Sequence, residues 1–379
     1  MVRVPGYINS LQPYKAGKPI GELAREKGLK RIVKLASNEN PLGPSPRAMA
    51  AVKEAVTDLH RYVDPAATEL IQAAAEYYGR GRDEIVAGHG TDSLLAYIIN
   101  AFMDDGDELL TCDGTFIGIY VNTRKFGRSL RTIPLVDYTF DLDGLAEAID
   151  GKTKIVYIAN PNNPTGTMVT DTQFRAFMQK VPSDVLVILD EAYTIYARER
   201  HDYPDGVSYR YDNLIVTQTL SKAYGLGGIR VGFAIGPAAL IEKIYRVKLP
   251  FEPNHLAQVA AHAALTDEEF VRRTIDMNSR SLATFQAAFR ELRIFQVPTA
   301  ANFILLILPT ETFAADFFER CLDRGLIVRH VPAFGIPKGI RINSGTDEET
   351  SFAIDVIRDV YPALLEKHHV SPVTNPTKG

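Results

Sequence analysis

The chain has 379 residues, 46% of them hydrophobic and 23% charged, with a formal net charge of −4. That is room for one large domain and a smaller one of ordinary soluble composition. It argues against a nucleic-acid or membrane-surface role, both of which need a basic face. Cys112 and Cys321 are the only cysteines, which suits a reducing, cytoplasmic compartment and leaves no disulfide framework or cysteine-rich zinc site. The first residues, Met1 to Tyr7, hold no apolar h-region, and runs such as Phe303–Leu308 are too short to cross a bilayer.

In chain order, the first forty residues contain Pro13, Pro19 and several glycines, and read as an arm rather than a core segment. Short apolar runs then predict buried strands at Ile85–Ala87, Glu108–Thr111, Ile155–Ala159, Val185–Leu189, Leu214–Thr217 and Val231–Ile235. Helices are expected at Asp143–Asp150, Asp171–Lys180 and Pro237–Val247, with Asp143 and Asp171 as N-terminal caps. Strand–helix alternation means βαβ units and a mostly parallel, helix-covered central sheet. A long helical pattern from about Asn254 to Leu292 bridges to a second, smaller α+β unit. That unit has strands at Asn302–Ile307, Ile327–Arg329 and Ile340–Asn343, and helices at Thr312–Arg324 and Asp347–Tyr361. The expected division is an N-terminal arm over 1–40 that joins the small domain, a large cofactor-binding domain over 41–270, a small domain over 271–365 and a frayed polar tail over 366–379.

Four motifs carry the candidate chemistry. Asn160-Pro-Asn-Asn-Pro-Thr-Gly166 follows a strand; it is either a polar turn or a turn that presents the Asn163 amide to a ligand. Val185-Leu-Val-Ile-Leu-Asp-Glu-Ala-Tyr193 ends an apolar strand on Asp190. That carboxylate is either a helix cap or the partner of a pyridine nitrogen that must stay protonated to withdraw electrons, with Tyr193 able to donate to the ring's phenolic oxygen. Thr219-Leu-Ser-Lys-Ala-Tyr-Gly-Leu-Gly-Gly-Ile-Arg230 places Lys222 among small and apolar residues. Lys222 is either a snorkelling surface lysine or a desolvated, nucleophilic amine; Ser221 and Arg230 are natural phosphate ligands. Gly88-His-Gly-Thr-Asp-Ser93 is a glycine turn into a helix start, able to offer backbone N–H groups to a phosphate, and is neither a dinucleotide fingerprint nor a P-loop. Each motif is weak alone. Their order supplies each contact that one phosphorylated pyridine aldehyde needs. No His-Glu-x-x-His or comparable set occurs among the eight histidines, so no metal site is expected.

At these residues the chain resembles fold-type I pyridoxal-phosphate aminotransferases, and specifically the histidinol-phosphate aminotransferase family. Val33-Lys-Leu-Ala-Ser-Asn-Glu-Asn-Pro-Leu-Gly-Pro-Ser45, Gly325-Leu-Ile-Val-Arg329 and Gly339-Ile-Arg-Ile-Asn-Ser-Gly-Thr346 extend the resemblance to both ends of the chain. The resemblance implies pyridoxal 5′-phosphate as cofactor, bonded to Lys222, which also moves a proton at the substrate α-carbon. It implies Asp190 at the pyridine nitrogen and Asn163 and Tyr193 at the phenolic oxygen. Thr91, Asp92, Ser221 and Arg230 would cradle the phosphate, and Phe116 would stack on the ring. Tyr62 would reach the cofactor phosphate of the other subunit in a homodimer. Arg341 would bind the substrate's anionic group, with Tyr14 and Arg329 nearby. The implied reaction transfers an amino group from histidinol phosphate to 2-oxoglutarate, in histidine biosynthesis. The same framework also serves aromatic amino acid aminotransferases, decarboxylases of phosphorylated amino acids and non-catalytic sensing domains. His89, Ser93 and Val63 depart from the residues more usual in the family.

Overall fold

A strand buried on both faces reads as an unbroken apolar run, and the runs singled out in the sequence all become strands of one sheet. The computed structural model describes residues 2–11 and 18–373; Tyr14 lies outside them. In chain order the strands are β1 (Val33–Lys34), β2 (Ile85–Gly88), β3 (Glu108–Cys112), β4 (Ser129–Ile133), β5 (Thr153–Ala159), β6 (Leu186–Asp190), β7 (Leu214–Thr219), β8 (Gly232–Ile235), β9 (Phe295–Gln296), β10 (Phe303–Ile307), β11 (Leu326–Ile327), β12 (Arg329–His330) and β13 (Gly339–Asn343).

The central sheet has seven strands in the order β2-β8-β7-β6-β5-β3-β4. Pairings from β4 across to β7 are parallel, and β8 runs antiparallel to both β7 and β2. The reversal follows from the connection. A parallel crossover needs a dozen or more residues and usually a helix, and loop 220–231 between β7 and β8 contains no helix. That loop carries Lys222. At the centre of the sheet, Asp190 on β6 lies in register with Ala159 on β5 and Thr217 on β7. The carboxyl ends of three parallel strands therefore converge on one place, where open α/β sheets bind ligands.

The large apolar cluster runs from Ala48 to Val271 and includes both faces of this sheet. A second cluster gathers Leu282, Phe285 and Phe289 with strands β10 and β13 and the helix Asp347–His368. The smaller sheet has the order β12-β13-β10-β9, with antiparallel pairing throughout.

Four sequence readings change. Residues 1–40 are not free of core: Leu23, Val33 and Leu35 are buried, and β1 pairs in parallel with β11. The helical stretch 254–292 is two helices, His255–Leu265 and Glu268–Glu291, broken at Thr266–Asp267. The caps are Asp141 and Thr170, whose side chains accept from Gly144 and Gln173, rather than Asp143 and Asp171. The strand expected at Ile327–Arg329 is divided between β11 and β12.

Asp267 fixes the helix break. Its carboxylate accepts the Phe270 backbone N–H at 3.3 Å and the Ser45 hydroxyl at 2.6 Å while almost fully buried. Asp267→Ala should lower the unfolding free energy by about 1–3 kcal/mol, since a cap and a buried hydroxyl lose their acceptor together. Asp267→Asn, which keeps an acceptor at the cap, should lose less. Denaturant midpoints of the three proteins check this, and equal stability of wild type and Asp267→Ala would refute it.

Candidate active site

Lys222 sits immediately beyond the end of β7, inside a cavity of about 200 Å³. The wall holds Thr91, Asp92, Phe116, Asn163, Asp190, Tyr193, Ser221, Lys222, Arg230, Arg329 and Arg341, so eleven of the candidate residues meet in one cleft. Tyr62 is not among them. It is 85% exposed and stacks on Phe251 with ring centroids 4.5 Å apart.

The Lys222 amine is buried. Its recorded hydrogen bond goes to the Ser37 carbonyl at 3.2 Å, and no carboxylate lies within ion-pair distance among the described residues. Burial first, then the nearby Arg341 charge, pushes its pKa down to about 8. An amine at about 8 is roughly one-quarter neutral at pH 7.5, against about one part in a thousand for an ordinary lysine. The snorkelling alternative is set aside by geometry: the side chain lines the cleft and its amine bonds the Ser37 carbonyl instead of reaching out to solvent.

Asp190 is the opposite case. Tyr157 donates to Oδ2 at 2.7 Å and the Ala192 backbone N–H to Oδ1 at 3.2 Å, yet no cation pairs with it among the described residues. Burial raises its pKa to about 6. A carboxylate held in this way suits a cationic ring N–H, which would supply the missing charge. Asp190 is not merely a helix cap, because the following helix, Thr194–Ala197, begins beyond it and takes no cap from its side chain.

An anion seat lies at the other end of the cleft. The helix Thr91–Phe102 starts there with no side chain capping it, so its first N–H groups are open to an anion. Arg230 reaches across the helix start. A Cβ on Gly90 would meet its guanidinium at 2.5 Å, and the φ of +78° itself favours glycine at this position. Arg230 also donates to Ser221 Oγ at 3.4 Å. Asp92 contributes through its backbone position; its carboxylate stands 3.7 Å from Arg230. Phe116 flanks the cleft, and a Cβ on Gly118 would collide with its ring at 2.3 Å. A phosphate, a flat ring, a ring nitrogen and an aldehyde thus each have a complementary group, and the residues fit pyridoxal phosphate.

Arg329 and Arg341 also line the cleft. Arg329 on β12 lies directly opposite Arg341 on β13 in the antiparallel register. Arg341 is buried and donates to Asn163 Oδ1 and, at 2.7 Å, to the Ala36 carbonyl.

Comparison with known proteins agrees with this geometry. Residues 30–357 match the model of the family described as aminotransferase class I and II. A histidinol-phosphate aminotransferase 2 of Hydrogenovibrio crunogenus is 41% identical over 347 residues, 90% of this chain and 92% of the relative. The histidinol-phosphate aminotransferase of Halalkalibacterium halodurans is 38% identical over 98% of this chain and 100% of its own length. The chain belongs to the histidinol-phosphate aminotransferase family. A crystal structure of the Sinorhizobium meliloti family member in complex with pyridoxal-5′-phosphate superposes with a TM-score of 0.89, at 28% identity over 96% of this chain and 99% of that one. Aspartate aminotransferase from Thermus thermophilus shares the fold, with a TM-score of 0.81 at 21% identity over 95% of this chain and all of that one. The enzyme is an aminotransferase with pyridoxal 5′-phosphate as cofactor, working on an amino donor and a 2-oxo acid.

Three residues of the site carried no role in the sequence reading. Tyr157 looks like a core residue of β5, and only the register shows its hydroxyl meeting Asp190. Phe334 closes the cavity beside Arg341. Asn38 belongs to a quoted signature, but its bond to Tyr193 could not be read from spacing.

Two outcomes follow. If Lys222 is the amine that captures the cofactor, capture by the cofactor-free enzyme should speed up as pH rises through about 8, because only a neutral amine attacks an aldehyde; a stopped-flow rate that is flat from pH 6.5 to 9 would refute it. For Asp190, the folded carboxyl at about 6 lies above its ordinary 3.8. The cost to folding is therefore fully present above about pH 6 and absent below about pH 4. Cofactor-free Asp190→Asn should be more stable than cofactor-free wild type at pH 8, by up to roughly 3 kcal/mol, with the gain vanishing toward pH 4. It should also lose most of its turnover. Denaturant midpoints at both pH values test the sign.

Proposed function

We propose that this enzyme transfers the amino group of histidinol phosphate to 2-oxoglutarate, as a cytoplasmic homodimer serving histidine biosynthesis. The observation that carries the substrate is the cross-strand pair Arg329–Arg341, with both side chains lining the cavity. Like charges directly opposite on a sheet destabilise it. Two guanidinium groups converging on one cleft suit a dianion, and a phosphate offers more charge and more acceptor oxygens than a carboxylate.

The roles follow from position. Ser221, Arg230 and the N–H groups at Thr91 and Asp92 would hold the cofactor phosphate, Phe116 would stack on its ring, Asp190 would hold its nitrogen protonated, and Asn163 and Tyr193 would meet its phenolic oxygen. The bound cofactor supplies an electron sink for the charge that develops at the substrate α-carbon. Lys222 binds it and carries the proton to and from that carbon. Arg341 and Arg329 would orient the donor; Tyr14, outside the described residues, is assigned to the same anion by the family resemblance alone. Desolvation in the cleft lowers the Lys222 pKa to about 8, so the amine can release a proton near neutral pH while still being basic enough to take one up.

The dimer reading rests on Tyr62, which does not line its own cavity, and on exposed apolar side chains: Phe251, which stacks on Tyr62, and Leu59 and Leu249, close to these two in sequence, are all at least 40% exposed in a single protomer. Such a patch suits a two-fold interface across which each Tyr62 completes the neighbour's site. The two apolar clusters support the division into domains at 41–270 and 271–365. Among the described residues no helix is long and apolar enough to cross a membrane.

Arg329→Ala is the discriminating variant. It should cut kcat/KM on histidinol phosphate by about 10–100-fold, the worth of one charge-assisted contact, and on phenylalanine far less. Equal losses, or a wild type that prefers phenylalanine, would move the assignment to an aromatic aminotransferase. Mixing Tyr62→Phe with Lys222→Ala protomers should restore activity, because each mixed dimer keeps one intact site; a fully active monomer in sedimentation would contradict a shared site.

A further inference from the structure

The strand ends account for Asp190 and Lys222, but Tyr193 is held from elsewhere. Its hydroxyl is buried, and its ring stands edge-on to Phe303 with centroids 5.1 Å apart. The hydroxyl's recorded hydrogen bond is with Asn38, whose Nδ2 donates at 2.7 Å. An amide N–H₂ has no acceptor capacity, so the hydroxyl oxygen must accept in this bond. The single hydroxyl proton then points away from Asn38, and the nearby Arg341 guanidinium cannot accept it.

Asn38 is itself tightly set. It takes φ +55°, its backbone N–H donates to Asn343 Oδ1 at 3.1 Å, and its carbonyl accepts from Asn302 Nδ2 at 3.3 Å. Asn302 and Asn343 flank β10 and end β13, so the small sheet fixes this residue against the wall of the large one. Asparagine is among the few side chains that tolerate a left-handed backbone while presenting a donor.

We infer that Asn38 is a positioning residue that directs the Tyr193 hydroxyl proton into the cofactor cleft, so that Tyr193 acts as donor to the cofactor's phenolic oxygen. This rests on the assignment of Tyr193 made above. An amide turned the other way would take the hydroxyl proton for itself and leave the phenolic oxygen without that donor. Asn38→Asp enforces that reversed state, and Asn38→Gly removes the donor while suiting the positive φ.

The test reads the pH midpoint of the bound cofactor's visible absorption in the holoenzyme. A donor to the phenolic oxygen stabilises its anion most when the neighbouring nitrogen is deprotonated, so losing the donor moves the midpoint upward. Tyr193→Phe and Asn38→Asp should both raise it, and Asn38→Gly should raise it by less. In a Tyr193→Phe background, Asn38→Gly should have no further effect. The same Asn38→Gly shift with and without the tyrosine hydroxyl would overturn the proposal, as would an unmoved midpoint in Asn38→Gly beside a raised one in Tyr193→Phe. An unmoved midpoint in Tyr193→Phe itself would overturn the underlying assignment of Tyr193, and this inference with it. Circular dichroism and cofactor affinity of Asn38→Gly identify a variant that has merely failed to fold; Asn38→Asp, isosteric with the native side chain, then carries the same comparison.

Discussion

Everything in this active site depends on a lysine ammonium being denied water without being given a carboxylate. Lys222 lies in the loop between β7 and β8 with its amine turned into the cleft near Arg341 and Arg230, where it donates to the Ser37 backbone carbonyl. Charge is costly in such a place, so the amine gives up its proton more readily than in solution. The fold makes this possible by reversing strand direction. Because β8 returns antiparallel, no crossover helix intervenes, and the loop stays packed against the carboxyl ends of β5, β6 and β7.

The other charges are arranged around that constraint. Asp190 is the complementary burial, a carboxylate held by a tyrosine hydroxyl and one backbone N–H and awaiting a cation. The uncapped start of helix Thr91–Phe102 and Arg230 form a positive part of the cleft, the seat proposed for the cofactor phosphate. Arg329 and Arg341 form a second positive end on the small sheet. A cleft lined by Lys222, Arg230, Arg329 and Arg341 against only Asp92 and Asp190 carries excess positive charge, which the proposed phosphorylated ligands would offset.

Much of this was legible in the sequence because burial leaves unbroken apolar runs. All six runs read as central strands are buried strands of the central sheet, and each of the four motifs runs off the end of one. The strand β4 was missed because Ser129–Ile133 is only partly buried and shows neither an apolar run nor clean alternation. The break at Asp267 was missed because the apolar pattern continues through it; a cap reaching Ser45, far away in sequence, decides it. The pairing of Arg329 with Arg341 and the contact of Asn38 with Tyr193 are products of register and domain packing, which no local spacing encodes. The family resemblance supplied Arg329 as a neighbour of Arg341; the register turned that into opposed positive charges.

The most direct measurement of the central claim is chemical. The holoenzyme is reduced with borohydride, which fixes the cofactor to whichever amine holds it, and the labelled peptide is mapped by mass spectrometry. The account predicts one label, on Lys222 within Thr219–Arg230, with the visible absorption lost on reduction. A label on any other lysine, or cofactor that washes away unreduced, would contradict it.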